Sequence, residues 1–169
     1  MLATSCETPL HGILELKFHV PIFIVACRSI QSQMQSLTHA WQWQADDRLL
    51  HALPLHHIHG LVNGLLCAHY ASAAVQFAPF NAPHIWRSLT RGEASVFMGV
   101  PTMYTHLLRV YHKMPAEQQA ACRAAAAELR LTVCGSSACP ATVQREWHSL
   151  SGAVRSLFHA LLKILGTSA

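Results

Sequence analysis

Four histidines, His51, His56, His57 and His59, fall within nine positions of the stretch HALPLHHIHGLVNGLL, residues 51–66. Imidazoles packed this densely could ligate a metal, move a proton, or satisfy backbone groups at a strand end. A zinc reading asks for ligands that converge in a tetrahedron. In an extended segment His51, His57 and His59 share one face, and no Cys or carboxylate stands at ligand spacing beside them. No metal ligand set is therefore assigned. The six cysteines, Cys6, Cys27, Cys67, Cys122, Cys134 and Cys139, form no CxxC pair. Most lie in apolar runs, as small buried hydrophobes do, and a reducing compartment suits them better than a disulfide framework.

Two other segments could carry chemistry. VPTMY, residues 100–104, opens at a proline, the residue favoured in a helix's first turn. GSSACP, residues 135–140, joins an apolar strand-like run to a helix-like run; its serines could cap that helix or face a ligand.

The elements that must position these residues follow from periodicity and punctuation. SIQSQMQSLTHAWQW (29–43) carries Ile30, Met34, Leu37 and Trp41 on one helical face. From residue 48 onward, short apolar strands (48–55, 74–79, 94–101, 131–135) alternate with helices (59–73, 82–92, 101–113, 115–130, 140–150). Pro83 and Gly92 bracket the second of these helices. The alternation predicts an α/β fold, an open and mainly parallel sheet with flanking helices and right-handed crossovers. Ligands in such sheets bind beyond the carboxyl ends of strands. Loops 55–60, 99–102 and 135–140 all occupy such ends. VPIFIVAC (20–27) reads as a strand-like piece. In the last stretch, Val154, Leu157, Phe158, Leu161 and Leu165 predict a C-terminal, core-facing helix.

Composition narrows the function classes. The chain has 169 residues, 51% hydrophobic and only 12% charged, with a net charge of +4. That length suits one core, and the low charge suits a much-buried chain or a piece of a larger one. The twelve Lys and Arg residues are scattered, so no nucleic-acid-binding stripe is expected. No run approaches the roughly 18 apolar residues of a membrane span. The amino terminus lacks the features of a signal or Arg-rich transit peptide.

Taken in order, LPLHHIHGLVNGLLCAHYASAAVQF, FMGVPTMYTHLL and LTVCGSSACPATVQREW resemble three segments of the AMP-forming acyl-CoA synthetases, in the adenylate-forming superfamily. The His-His-x-His-Gly run and the Trp41-x-Trp43 before it are most similar to the malonyl-CoA synthetase branch. The resemblance spans residues 37–152 and implies a fragment of an adenylation domain. It divides the chain into a divergent segment (1–30), a partial AMP-binding domain (31–152) and a divergent tail (153–169).

The implied activity is ATP-dependent ligation of a carboxylic acid, malonate or a fatty acid, to CoA through an acyl-adenylate. His57 matches the family histidine beside the acid carboxylate and α-phosphate. His56, Val100, Pro101, Met103 and Tyr104 match the acyl side. Gly135, Ser136, Ser137 and Ala138 match the loop bordering adenine and acyl group, with Cys139 a departure before Pro140. ATP, Mg²⁺ and CoA are the implied cofactors, and a mitochondrial location follows from the branch, with the cytoplasm otherwise expected.

The family's glycine-rich phosphate loop belongs shortly before residue 30, where HVPIFIVACRS has no glycine. Its Tyr-Gly-x-Thr-Glu motif, whose Glu helps hold Mg²⁺, belongs after Gly152, where AVRSLFHALLKILGTSA stands. The ribose-binding Thr-Gly-Asp and the C-terminal lid with its lysine have no match either. The expectation is thus a truncated product whose isolated chain is catalytically inactive. The alternative is a non-catalytic interaction or regulatory product that self-associates through exposed core surface.

Overall fold

A computed structural model describes residues 27–152 and the backbone of 155–158. The strand expected over 20–27 lies outside the described residues, apart from Cys27, which opens a helix. Helix α1 (Cys27–Ala40) precedes the first strand, β1 (Arg48–His51). Leu37 and Trp41 are buried and Met34 packs half-buried against the core, which is the face their spacing predicts.

Beyond β1 the chain turns through residues 52–58 into a helical segment, His59–Leu66, whose backbone bonds are π-helical, and continues as α2 (Cys67–Tyr70). Strand β2 (Ala74–Phe77), α3 (Ala82–Thr90), β3 (Val96–Gly99), α4 (Pro101–Tyr111), α5 (Ala116–Ala127), β4 (Leu131–Cys134) and α6 (Ala141–Ser151) follow. Helix α3 starts where Asn81 Oδ1 accepts a hydrogen bond from the His84 N–H at 3.0 Å, with Pro83 in the first turn.

The strands form one sheet in the order β2-β1-β3-β4-β5, with every neighbouring pair parallel. All residues of β3 and β4 are buried, as both faces of a parallel sheet should be; β2, with one strand neighbour, is largely exposed. The connection leaving β1 runs outward to β2, whereas those leaving β3 and β4 run the other way. Right-handed crossovers place the helices of these two sets on opposite faces. Accordingly α1 packs on the π-helical segment and α2, while α3, α4, α5 and α6 pack on one another. Trp86, Tyr104 and Trp147 fill the second helical layer, with Tyr104 and Trp147 in edge-to-face contact at 4.9 Å.

Strand β5 (Arg155–Phe158) corrects one expectation. The apolar spacing of the tail predicts a helix, yet these four residues run parallel to β4 in the register Arg155↔Leu131 to Phe158↔Cys134. Without them β4 would present an unpaired row of backbone donors and acceptors. Gly152, at φ 71° and ψ −155°, turns the chain out of α6 through a conformation open essentially to glycine alone. The rest of the tail helix expected over 153–169 lies outside the described residues.

At the amino ends of the strands, buried Asp47 and half-buried Arg130 form a clamp. Arg130 Nε donates to Asp47 Oδ1 at 2.8 Å, its Nη2 also bonds the carboxylate, and its Nη1 donates to the Trp41 carbonyl at 3.1 Å. The Ser95 hydroxyl and the Gln44 N–H complete the carboxylate's partners. Burial alone would raise the Asp47 pKa, but Arg130, Gln44 and Ser95 together hold it below the ordinary carboxylate value.

Candidate active site

The strand order reverses between β1 and β3, because the connections leaving these adjacent parallel strands run opposite ways along the sheet. Such a switch point opens a crevice at the carboxyl edge, the usual ligand site of open α/β sheets. The loops after β1, β3 and β4 are neighbours along that edge, so the three segments singled out by sequence come together.

His56 and His57 stand exposed on the turn after β1, with ring centroids 4.3 Å apart. The backbone seats the turn: His57 N–H donates to the Pro54 carbonyl at 3.4 Å, and the His57 carbonyl accepts from Leu61 N–H at 2.9 Å. Gly60 permits this close fold, since a Cβ there would stand 2.3 Å from the Pro54 carbonyl oxygen. His57 is therefore solvent-accessible on a turn fixed at both of its own backbone groups.

The other two histidines point inward. His51 is buried, and its Nε2–H donates to the Gly60 carbonyl at 2.8 Å. His59 is 4% exposed, with Nδ1 3.1 Å from Ser136 Oγ across 77 residues of sequence. Burial, with a smaller contribution from nearby His51, lowers the His59 pKa to about 4. Its Nε2 has no hydrogen-bond partner among the described residues. Neither His51 nor His59 has a counterpart among the site residues that the family resemblance implies. The period-two face that His59 shares with His51 also holds exposed His57, so sequence carried no signal of its burial.

The loop after β3 begins at half-buried Val100 and leads into buried Pro101, Met103 and Tyr104. Tyr104 belongs to the core: it is fully buried and its hydroxyl donates to the Val133 carbonyl at 3.0 Å, with burial pushing its pKa well up. Met103 instead borders a cleft of about 450 Å³ with Phe80, Asn81, Thr102 and His106. His106, one helical turn beyond Met103, was not singled out by sequence; that spacing was its only signal. A second cleft of about 360 Å³ lies at the carboxyl ends of β1 and β2, lined by His51, Leu53, Pro54, Phe77 and Pro79.

After β4, Gly135 is buried and its N–H donates to the Gly99 carbonyl at 3.1 Å, tying this loop to the end of β3. Ser136, Ser137 and Ala138 are exposed, and Ser136 holds φ at 70°, uncommon for a residue with a side chain. Cys139 is buried beside Cys134. Cys67, Cys122, Cys134 and Cys139 are all buried free thiols whose pKa values burial raises.

Among the described residues no three His, Cys, Asp or Glu side chains are grouped to hold a metal ion. No helix among them is long and apolar enough to cross a membrane.

Fold and site define a class: a doubly wound parallel sheet with its candidate site on three adjacent carboxyl-edge loops. The AMP-binding enzyme family matches residues 24–160, a span that includes the 37–152 over which the motifs resemble it. The chain belongs to that family. It is 42% identical over 149 residues to a malonate–CoA ligase of Arabidopsis thaliana, covering 82% of this chain and 24% of the relative. A mitochondrial malonate–CoA ligase of Homo sapiens is 38% identical over 146 residues, with the same two coverages of 82% and 24%. Among solved structures, a malonyl-CoA ligase with methylmalonyl-CoA and AMP bound is similar at a TM-score of 0.66 and 31% identity. That match covers 76% of this chain and 27% of the ligase. ATP-bound MatB of Rhodopseudomonas palustris matches at a TM-score of 0.61 and 30% identity, over 75% of this chain and 23% of that one. The chain thus spans about a quarter of the length of the curated relatives it matches.

Proposed function

We propose that this chain carries the carboxyl-edge acyl-adenylate site of an ATP-dependent acid–CoA ligase, with malonate as the acid. The observation that carries the reading is the adjacency of the loops bearing His57, Met103 and Ser136–Ala138 at the switch point of a sheet related to malonate–CoA ligases. ATP would contribute the adenylyl group and CoA the thiol that takes the acyl group from AMP.

His57 is exposed on a turn that two backbone bonds hold in place. An imidazole carried on a turn held in this way can donate to charge developing between the acid carboxylate and the α-phosphate. The loop 135–138 would border the adenine and acyl groups. Val100, Pro101 and Met103, with His56 opposite, would shape the acyl side. Tyr104 would act from the core, holding the start of α4 against β4.

Mg²⁺ does not fit the described residues. Asp46, Asp47, Glu93 and Glu128 precede strands at the opposite edge, and Glu117 and Glu146 lie within helices. No step through Mg²⁺ is assigned to this chain.

The test is a chimera. Residues 48–152 replace the matching segment of a complete malonate–CoA ligase, and malonate-dependent pyrophosphate release is measured. The chimera is expected to turn over, and His57→Ala within it to lose about 10²–10³ in kcat, the scale of one transition-state donor. Unchanged turnover in His57→Ala would remove the proposed role. The 169-residue chain alone is expected to release no pyrophosphate with malonate, ATP and Mg²⁺.

The mitochondrial placement of the human relative makes the mitochondrion the proposed compartment, tested by imaging the tagged chain. A second reading, a non-catalytic product that self-associates, is favoured by one observation: Phe77, on the largely exposed edge strand β2, is 58% exposed.

A further inference from the structure

The carboxyl-edge loops are joined by a short series of bonds that crosses the switch point. His51 holds the Gly60 carbonyl, and the adjacent residue, His59, meets Ser136 Oγ; next to Ser136, the Gly135 N–H bonds the Gly99 carbonyl at the end of β3. The series passes within two residues of His57. His59 is the one link in which a side chain of the first loop reaches a side chain of the third, and either neutral tautomer can form it. Ser136 sits at φ 70°, a conformation that costs free energy and persists where neighbours over-determine it.

We propose that His59 is a positioning residue, a buried latch that fixes Ser136, and with it the loop 135–138, against the turn presenting His57. The assignment to a reaction rests on the acid–CoA ligase reading, whereas the latch itself is a property of the unliganded chain. His59 sets the distance between two loops that the ligase reading places beside the reacting groups.

The experiment uses the full, isotopically labelled chain without ligand. Imidazole nitrogen resonances and amide hydrogen exchange are read by NMR in Ser136→Ala, His59→Asn and His59→Phe. In Ser136→Ala the His59 ring nitrogens shift while those of His51 stay in place. The buried Gly135 amide, bonded to the Gly99 carbonyl beside Ser136, exchanges about tenfold faster, the scale of one neutral hydrogen bond. His59→Asn, whose amide can reach where Nδ1 lies, retains the loop's protection; His59→Phe, of similar shape but without a polar atom, loses it. Unmoved His59 resonances in Ser136→Ala, or equal loop protection in the Asn and Phe variants, would overturn the latch. If His59→Phe does not fold, Ser136→Ala decides alone, because Ser136 is exposed and its side chain fills no core space. Failure of the ligase reading would appear in the chimera's turnover and leave these resonances untouched.

Discussion

His59 is a basic side chain kept uncharged by burial and by His51, with a folded pKa of about 4 against an ordinary value of 6.5. The unfolded chain therefore takes up a proton at this residue before the folded chain does. Stability contributed by the neutral ring is complete above pH 6.5 and falls as the pH drops toward 4. A difference of that size is worth about 3 kcal/mol when fully expressed. Asp47 acts in a lower window: its folded pKa lies below 3.8, so its contribution is lost only as pH falls further, through the folded pKa. Urea titrations between pH 7 and 3 should show two stages of loss, and His59→Asn should remove the upper one. Of the four clustered histidines, the sequence separates His57 from the others by its place in a familiar motif. It does not reveal which imidazoles are buried, because His51, His57 and His59 share a period-two face until the turn at 52–58 breaks it. That break leaves His57 in solvent and sends His59 to Ser136.

At the scale of elements, punctuation located most boundaries. The strand expected over 48–55 stops at His51, where Pro54 and the following turn end pairing, and the helix at 101 starts at Pro101 as read. The π-helical bonding of His59–Leu66 was not legible, since the apolar positions that predict a helix there fit either winding. Strand β5 was misread for a related reason. Short apolar runs satisfy both periods, and only the open side of β4 decides between them. The Asp47–Arg130 clamp was invisible because its partners lie 83 residues apart. Arg130→Ala strands a carboxylate that is 3% exposed and should cost about 3 kcal/mol in urea denaturation. A cost near zero would mean that Ser95 and Gln44 suffice.

Over the whole molecule, burial falls away from β3 and β4 toward β2. Amides of Ala74–Phe77 should exchange with solvent well before those of Val96–Gly99 and Leu131–Cys134, in a residue-resolved hydrogen-exchange series. If self-association uses the β2 edge, light scattering should rise with concentration, and Phe77→Lys should suppress it. A monomer at every concentration would retire that reading. The α/β class and the grouping of three loops at one edge follow from element order and the handedness rule, and so were legible early.

The clamp and the loops occupy opposite ends of the same strands. An ion pair spanning 83 residues holds the amino edge together, while the carboxyl edge, beside its own latch, offers exposed turns at 54–58 and 136–138. This separation makes the domain an evolvable scaffold. Residues that would choose an acid can drift, or be exchanged by design between relatives, while a distant ion pair keeps the chassis intact.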